Sequence, residues 1–170
     1  HDTYNAERGY GYFMNDITCI STDDMKNWTD HGEVFHAKDS KWGAKMTWAP
    51  CVVHRNGKFY LYYGDANSGG IGVAVSDLPT GPYIDNHDRP VVGMDTPGVL
   101  LYDENNRCIK NKKGVPGAIS GSENWGMWCF DPCVFVDDDG QAYMYFGGAH
   151  PDNSRIIKLK ENMTEVDGSA

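Results

Sequence analysis

Residues 48–64 read WAPCVVHRNGKFYLYYG, and residues 130–147 read FDPCVFVDDDGQAYMYFG. Aligned, both run aromatic, any residue, Pro, Cys, Val and an apolar residue. A polar turn closing on Gly follows, then Tyr, any residue, Tyr, an aromatic and Gly. The second copy holds one extra turn residue. Self-similarity of this kind constrains the fold more than composition does, because a repeated unit buries its faces against its neighbours. Each copy predicts two strands and a tight turn: CVVH to KFYLYYG, and CVFV to QAYMYFGG.

The downstream sequence repeats as well. IGVAVSDLPTGPY (residues 71–83) reads as a third strand, a turn and a fourth edge segment. RIIKLKENMTEVDG (155–168) has the same pattern, and so does ITCISTDDMKNWTDHGEVF (17–35). Four-stranded antiparallel units in series are the blades of a β-propeller, so the expected fold is all-β. A β-sandwich is the alternative, but it calls for no repeated four-strand module. Residues 1–170 then form a partial propeller of about two and a half blades. Residues 1–35 are the second half of one blade and 48–85 a full blade. Residues 86–129 are a long connection, and 130–168 a further blade. A propeller closes with four blades or more. The expectation is therefore a piece of a larger protein, or a ring completed by a complementary chain or by self-association.

The 20 glycines, 10 tyrosines and 5 tryptophans agree with an all-β chain rich in tight turns. The net charge of −9 argues against a nucleic-acid or anionic-membrane partner, since phosphate binding needs a basic face. There is no apolar run near 18 residues, as a membrane span requires. The chain opens on His1 rather than Met, so the lack of a visible leader carries no weight. The five cysteines match no zinc spacing and read as small buried thiols. No metal-ligand pattern and no cofactor motif stand out.

Strand direction sorts the aspartates. If strands alternate, the starts of the first strands, the loops between second and third strands, and the blade-to-blade connections share one face. Asp131 precedes a first strand and so lies at the channel mouth. Asp137, Asp138 and Asp139 fall in the turn beyond that strand, ~15 Å away on the opposite face, and read as turn residues helped by Gly140. An Asx-turn before Pro132 would explain Asp131, but the other copy has Ala49 there. The hairpin therefore does not require a carboxylate, and Asp131 is a candidate for chemistry. The same mouth is expected to collect His1, Asp2 and Asp16 from a loop over 1–16, together with Trp48 and its counterpart Phe130. The connection holding SGSENWGMW (120–128) is long enough to build a wall there. Aromatic rings and carboxylates around a narrow cavity suit a sugar, whose apolar face stacks and whose hydroxyls hydrogen-bond. Trp28, Trp42 and Trp125 are read as core or loop packing, and the remaining histidines have no assigned role.

STDDMKNWTDHG, WAPCVVHRNGKFYLYYG, IGVAVSDLPTGPY, WCFDPCVFVDDDGQAYMYFGG and RIIKLKENMT together resemble glycoside hydrolase family 43. The resemblance lies nearest the arabinofuranosidase and β-xylosidase branch acting on arabinoxylan. It implies five blades and an inverting mechanism on three carboxylates: a general base, a general acid, and a third that raises the acid's pKa and orients substrate. Asp131 in FDP matches the third. Trp48 in WAP matches an aromatic beside the sugar pocket, and His1 and Asp2 would line that pocket. No residue here matches the general base or the general acid; Glu123 in the connection lacks the acid's motif. Some relatives hold calcium in the channel, but no ligand set is evident in this sequence. The resemblance also implies secretion and a plant cell-wall polysaccharide or oligosaccharide as partner. Two other readings stand beside the hydrolase: a non-catalytic sugar-binding propeller fragment, and a protein-interaction propeller, which would have no need of Asp131.

Overall fold

A computed structural model describes residues 2–3, 13–65, 69–110, 114, 126–148 and 153–170. These form antiparallel sheets, with a short 3-10 turn at Ala37–Asp39. β1 (Asp2–Thr3) pairs with β2 (Phe13–Met14) in a small ribbon. β3 (Asp16–Ser21) and β4 (Thr29–His36) form the first sheet. β5 (Trp48–Arg55), β6 (Lys58–Asp65) and β7 (Gly70–Ser76) form the second, in that order. β8 (Cys133–Val136), β9 (Ala142–Phe146), β10 (Arg155–Leu159) and β11 (Val166–Asp167) form the third.

The hairpins follow from local chemistry. Asn56 and Gly57 both take positive φ, 50° and 74°, and let Arg55 pair with Lys58. Such two-residue turns match the twist of the flanking strands. The triple aspartate is a turn, as expected. Gly140 donates to the Asp137 carbonyl at 2.8 Å, and Gln141 N–H donates to Asp139 Oδ1 at 2.8 Å.

The sheets stack face to face in chain order, with the second in the middle. Alternation along β6 sends Tyr60 and Tyr62 toward the third sheet, where they join Val134, Met144, Phe146 and Ile157. The intervening Leu61 and Tyr63 face the first sheet and meet Val34 and Phe35. This explains the unbroken apolar run FYLYY: a strand covered on both faces has no polar side to show. Gly72 makes the second contact possible, because a Cβ there would overlap the Tyr63 ring and come within 2.7 Å of Trp42 Nε1. Trp42 instead stacks on Tyr63 and donates to its hydroxyl at 3.0 Å.

Three expectations are corrected. The fourth segment of the second sheet shrinks to one bridge, Val75 with Ile84. Pro79 and Pro82 lie just before it and have no N–H to donate to a ladder. The segment read as a loop over 1–16 holds the β1–β2 ribbon, whose second strand is fastened by Thr47 N–H donating to the Met14 carbonyl at 2.7 Å. Trp28 is exposed at 51% rather than packed. The turn before it is held by Asp24, which accepts from the backbone of Lys26 and Asn27, so no apolar anchor is needed.

Candidate functional site

The site is built by close backbone approach at one end of the sheets. Trp48 opens β5 opposite Gly64, the penultimate residue of β6. Gly64 in turn abuts the start of the third sheet. A Cβ added there would lie 3.0 Å from Phe130 Cβ and 3.5 Å from the Asp131 nitrogen. Phe130 is held from its other side, where its carbonyl accepts from Gly147 N–H at 2.9 Å. Gly147 has φ 93°, and a Cβ on it would overlap the Asn153 carbonyl. Gly148 sits against the Phe130 ring and 3.7 Å, from an added Cβ, to Asp131 Oδ2. The doubled glycine of FGG thus lets Phe130 and Asp131 seat on the end of β9.

Trp48, Phe130 and Asp131 are therefore neighbours through Gly64, at the end of β8 remote from the triple aspartate. Met14 reaches the same end through Thr47, which precedes Trp48 and also donates its hydroxyl to the Met14 carbonyl at 3.0 Å. Asp16 follows as the half-buried first residue of β3, opposite His36. The backbone of Asp2 pairs with Met14. His1, Glu123, Trp125 and the Asp2 side chain lie outside what is described.

Asp131 is an exposed residue, yet partial burial of its carboxyl pushes its pKa above the usual carboxylate range. Among the described residues no cation or hydrogen bond contributes to that shift; loss of water disfavours the charged form. Its backbone is left-handed, φ 52°, and so is that of its counterpart Ala49, φ 42°. The Trp48 indole N–H is buried and finds no acceptor among the described residues. Among the described residues, no three His, Cys, Asp or Glu side chains come together as a metal cage requires.

Two residues at this end carry no individual role in the sequence reading. Trp128 packs edge-on against Phe130, ring centroids 5.6 Å apart. The i, i+2 spacing in WCF was the available signal, since alternate residues of an extended segment share a side. Asp65, at the end of β6, is fully buried and accepts the Lys45 N–H at 3.0 Å through Oδ2. It fastens the segment leading to Trp48, and the loop that follows it gave no hint of such burial.

The profile of glycosyl hydrolases family 43 matches residues 2–114. An arabinoxylan arabinofuranohydrolase of Bacillus subtilis (strain 168) is 38% identical over 92% of this chain and 31% of its own length. A xylosidase/arabinosidase 43A of Humicola insolens is 37% identical over 96% of this chain and 41% of its own. The solved structure of an α-L-arabinofuranosidase from Clostridium thermocellum is 53% identical, with a TM-score of 0.73, over 94% of this chain and 45% of that one. The chain thus spans less than half the length of each of these relatives. Asp131 lies beyond the residues that the family profile matches.

Proposed function

The chain belongs to glycosyl hydrolase family 43, and from that premise we propose that it is part of an inverting glycosidase releasing arabinofuranose or xylose units from plant arabinoxylan or arabinan. The complete fold is proposed to be a five-bladed propeller, with the three stacked sheets as consecutive blades. The observation that carries the reading is the contiguity of Trp48, Gly64, Phe130 and Asp131: an aromatic wall and a partly desolvated carboxylate on one rim.

In this reading Asp131 transfers no proton. Inversion needs a general acid at the leaving oxygen and a general base on a water across the ring, their carboxyls about 6.5–9.5 Å apart. Asp131 is the third carboxylate. Placed near the acid, its negative charge disfavours the acid's ionised form and keeps that group protonated at working pH. Its oxygens also accept from a sugar hydroxyl, while Trp48 and Phe130 cover the apolar face of the ring. The acid and base are assigned to parts of the enzyme outside these 170 residues.

The test uses aryl α-L-arabinofuranoside and aryl β-xyloside. The enzyme containing this chain is expected to release a sugar whose first-formed anomer, read by NMR, is inverted; a retained anomer refutes the mechanism. The 170-residue chain alone is expected to bind sugar without turnover. Hydrolysis above blank by that chain would refute the assignment of both proton-transfer groups to segments outside it.

A further inference from the structure

The two internal copies share a cysteine for which the glycosidase reading has no task. Cys51 and Cys133 each follow the proline that opens their copy, and they sit on β5 and β8. Those strands are neighbours between the second and third sheets. Val134 N–H donates to Cys51 Sγ at 3.3 Å, which sets the Cys51 sulfur against the peptide that joins Cys133 to Val134. The other three cysteines have different surroundings. Cys129 is buried with its sulfur 3.7 Å from Met94 Sδ, while Cys19 and Cys108 face the carbonyls of Ile20 and Ile109. Cys133 is exposed and lines, with Asp131, Tyr145 and Arg155, a cavity of about 310 Å³; Cys51 is half-buried.

We propose that Cys51 and Cys133 are a dithiol site that a low-molecular-weight disulfide, such as oxidised glutathione, converts into a disulfide joining the first strands of the second and third sheets. Exposure makes Cys133 the first nucleophile. Its thiolate attacks one sulfur of oxidised glutathione, the S–S bond breaks, and one glutathione thiolate leaves. The Cys51 thiolate then attacks the Cys133 sulfur of the mixed disulfide and expels the second glutathione. The two protein thiols lose two electrons, and their two protons end on the two glutathione thiols. Burial pushes the Cys51 thiol pKa up, which makes it the poorer first attacker. Its sulfur lies 3.3 Å from the nitrogen of Val134, the residue after Cys133, and that placement makes it the favoured second one. The bond lies two residues past Asp131 and two past Ala49, so its formation ties together the two kinked segments of the rim.

The test is independent of the sugar reading, because it reads sulfur chemistry alone. The native chain is treated with oxidised glutathione, alkylated, digested and mapped by non-reducing mass spectrometry. The expected product is one cross-linked peptide pair joining Cys51 and Cys133, lighter by two hydrogens and reversed by dithiothreitol. C51S should accumulate glutathione on Cys133, and C133S should lose the cross-link. The same oxidation in urea should scramble the pairing. That comparison on the unsubstituted chain decides the matter even if the serine variants fail to fold. Stable glutathione on both cysteines without a cross-link would overturn the proposal. So would a cross-link to any other cysteine, or an equal Cys51–Cys133 yield in native and urea samples.

Discussion

Gly64 is where fold and site meet, and replacing it with alanine tests both. The added Cβ would lie 3.0 Å from Phe130 Cβ and 3.1 Å from Phe130 Cα. Carbon contacts are comfortable from about 3.5 Å outward, so Phe130 must retreat by roughly half an ångström. A rotamer change cannot supply that movement, because one of the obstructing atoms is main chain and the Phe130 carbonyl is tied to Gly147. Overpacking of this kind costs about 1–3 kcal/mol. For a chain of this size that lowers the midpoint of thermal unfolding by about 2–12 °C. The retreat also carries Asp131 away from Trp48. Displacements on the order of 1 Å can cost catalytic sites ~100-fold, so sugar binding by calorimetry or saturation-transfer NMR should weaken along with the melt. Gly57→Ala is the control. Gly57 has φ +74° with nothing within 4 Å of an added Cβ, at the turn between β5 and β6. Alanine in that left-handed conformation costs about 1–2 kcal/mol, so the melting loss should be similar and the sugar affinity unchanged. A Gly64→Ala chain that melts with the wild type would refute the packing argument. A Gly57→Ala chain that loses as much affinity would refute the link between that packing and the site.

Asp131→Asn should abolish sugar recognition at the rim without destabilising the chain. Because burial raises the folded-state pKa of Asp131, its charge is a liability to the fold above that pKa and none at low pH, where both states are protonated. The variant should therefore match the wild type at pH 3 and equal or exceed it at pH 7 in denaturant titrations; lower stability at pH 7 would contradict the sign. Tyr63→Phe removes a buried hydroxyl that donates to Asp85 Oδ2 at 2.5 Å and accepts from Trp42. A loss of about 1–3 kcal/mol is expected by chemical denaturation, and an unchanged midpoint would show that water replaces the pair. Asp24 accepts from the Asn27 and Lys26 backbones and the Asn27 side chain, which brings its pKa down to about 2. Its carboxyl carbon should titrate there by NMR, with Asn27→Ala moving it up. The stability that it contributes is present above the unfolded-state value near 4 and lost as pH falls toward 2.

The sequence made the hairpins legible because their signals are local. Asn56–Gly57 and the aspartate-rich turn ending in Gly140 each specify a tight reversal within four residues, and the copies then align strand for strand. The apolar run of β6 is a local signal too, since FYLYY fits a strand covered on both faces, as β6 is. What it did not reveal depends on contacts between sheets. Gly64 reads as an ordinary strand glycine until Phe130 is seen packed on it. Trp128 became an aromatic of the site only because Cys129 is drawn into the core, leaving the residues on either side of it together. The fourth strand of the second sheet was expected by analogy with the other units, but its prolines outweighed the analogy. The β1–β2 ribbon was invisible because two residues per strand carry no periodicity.

The left-handed backbone at both residue 49 and residue 131 changes how the difference between the copies should be weighed. The kink belongs to the repeat, since Ala49 adopts it at a steric cost of about 1–2 kcal/mol. Aspartate enters that conformation more readily than alanine, so a carboxylate at residue 131 could be favoured on conformational grounds alone. Contrast with Ala49 is then not enough to give Asp131 a chemical task. Its surroundings supply the missing argument. Asparagine would satisfy the same backbone without a charge to desolvate, whereas aspartate at this spot carries a carboxyl whose ionised form is disfavoured by burial. A residue serving only the kink gains nothing from that charge, but one that tunes a neighbouring acid or accepts from a sugar hydroxyl requires it. Asp131→Asn separates the two, because it keeps the kink and removes only the ionisation. Intact folding with recognition lost assigns the carboxylate to chemistry, and intact folding with recognition retained leaves it as a turn residue.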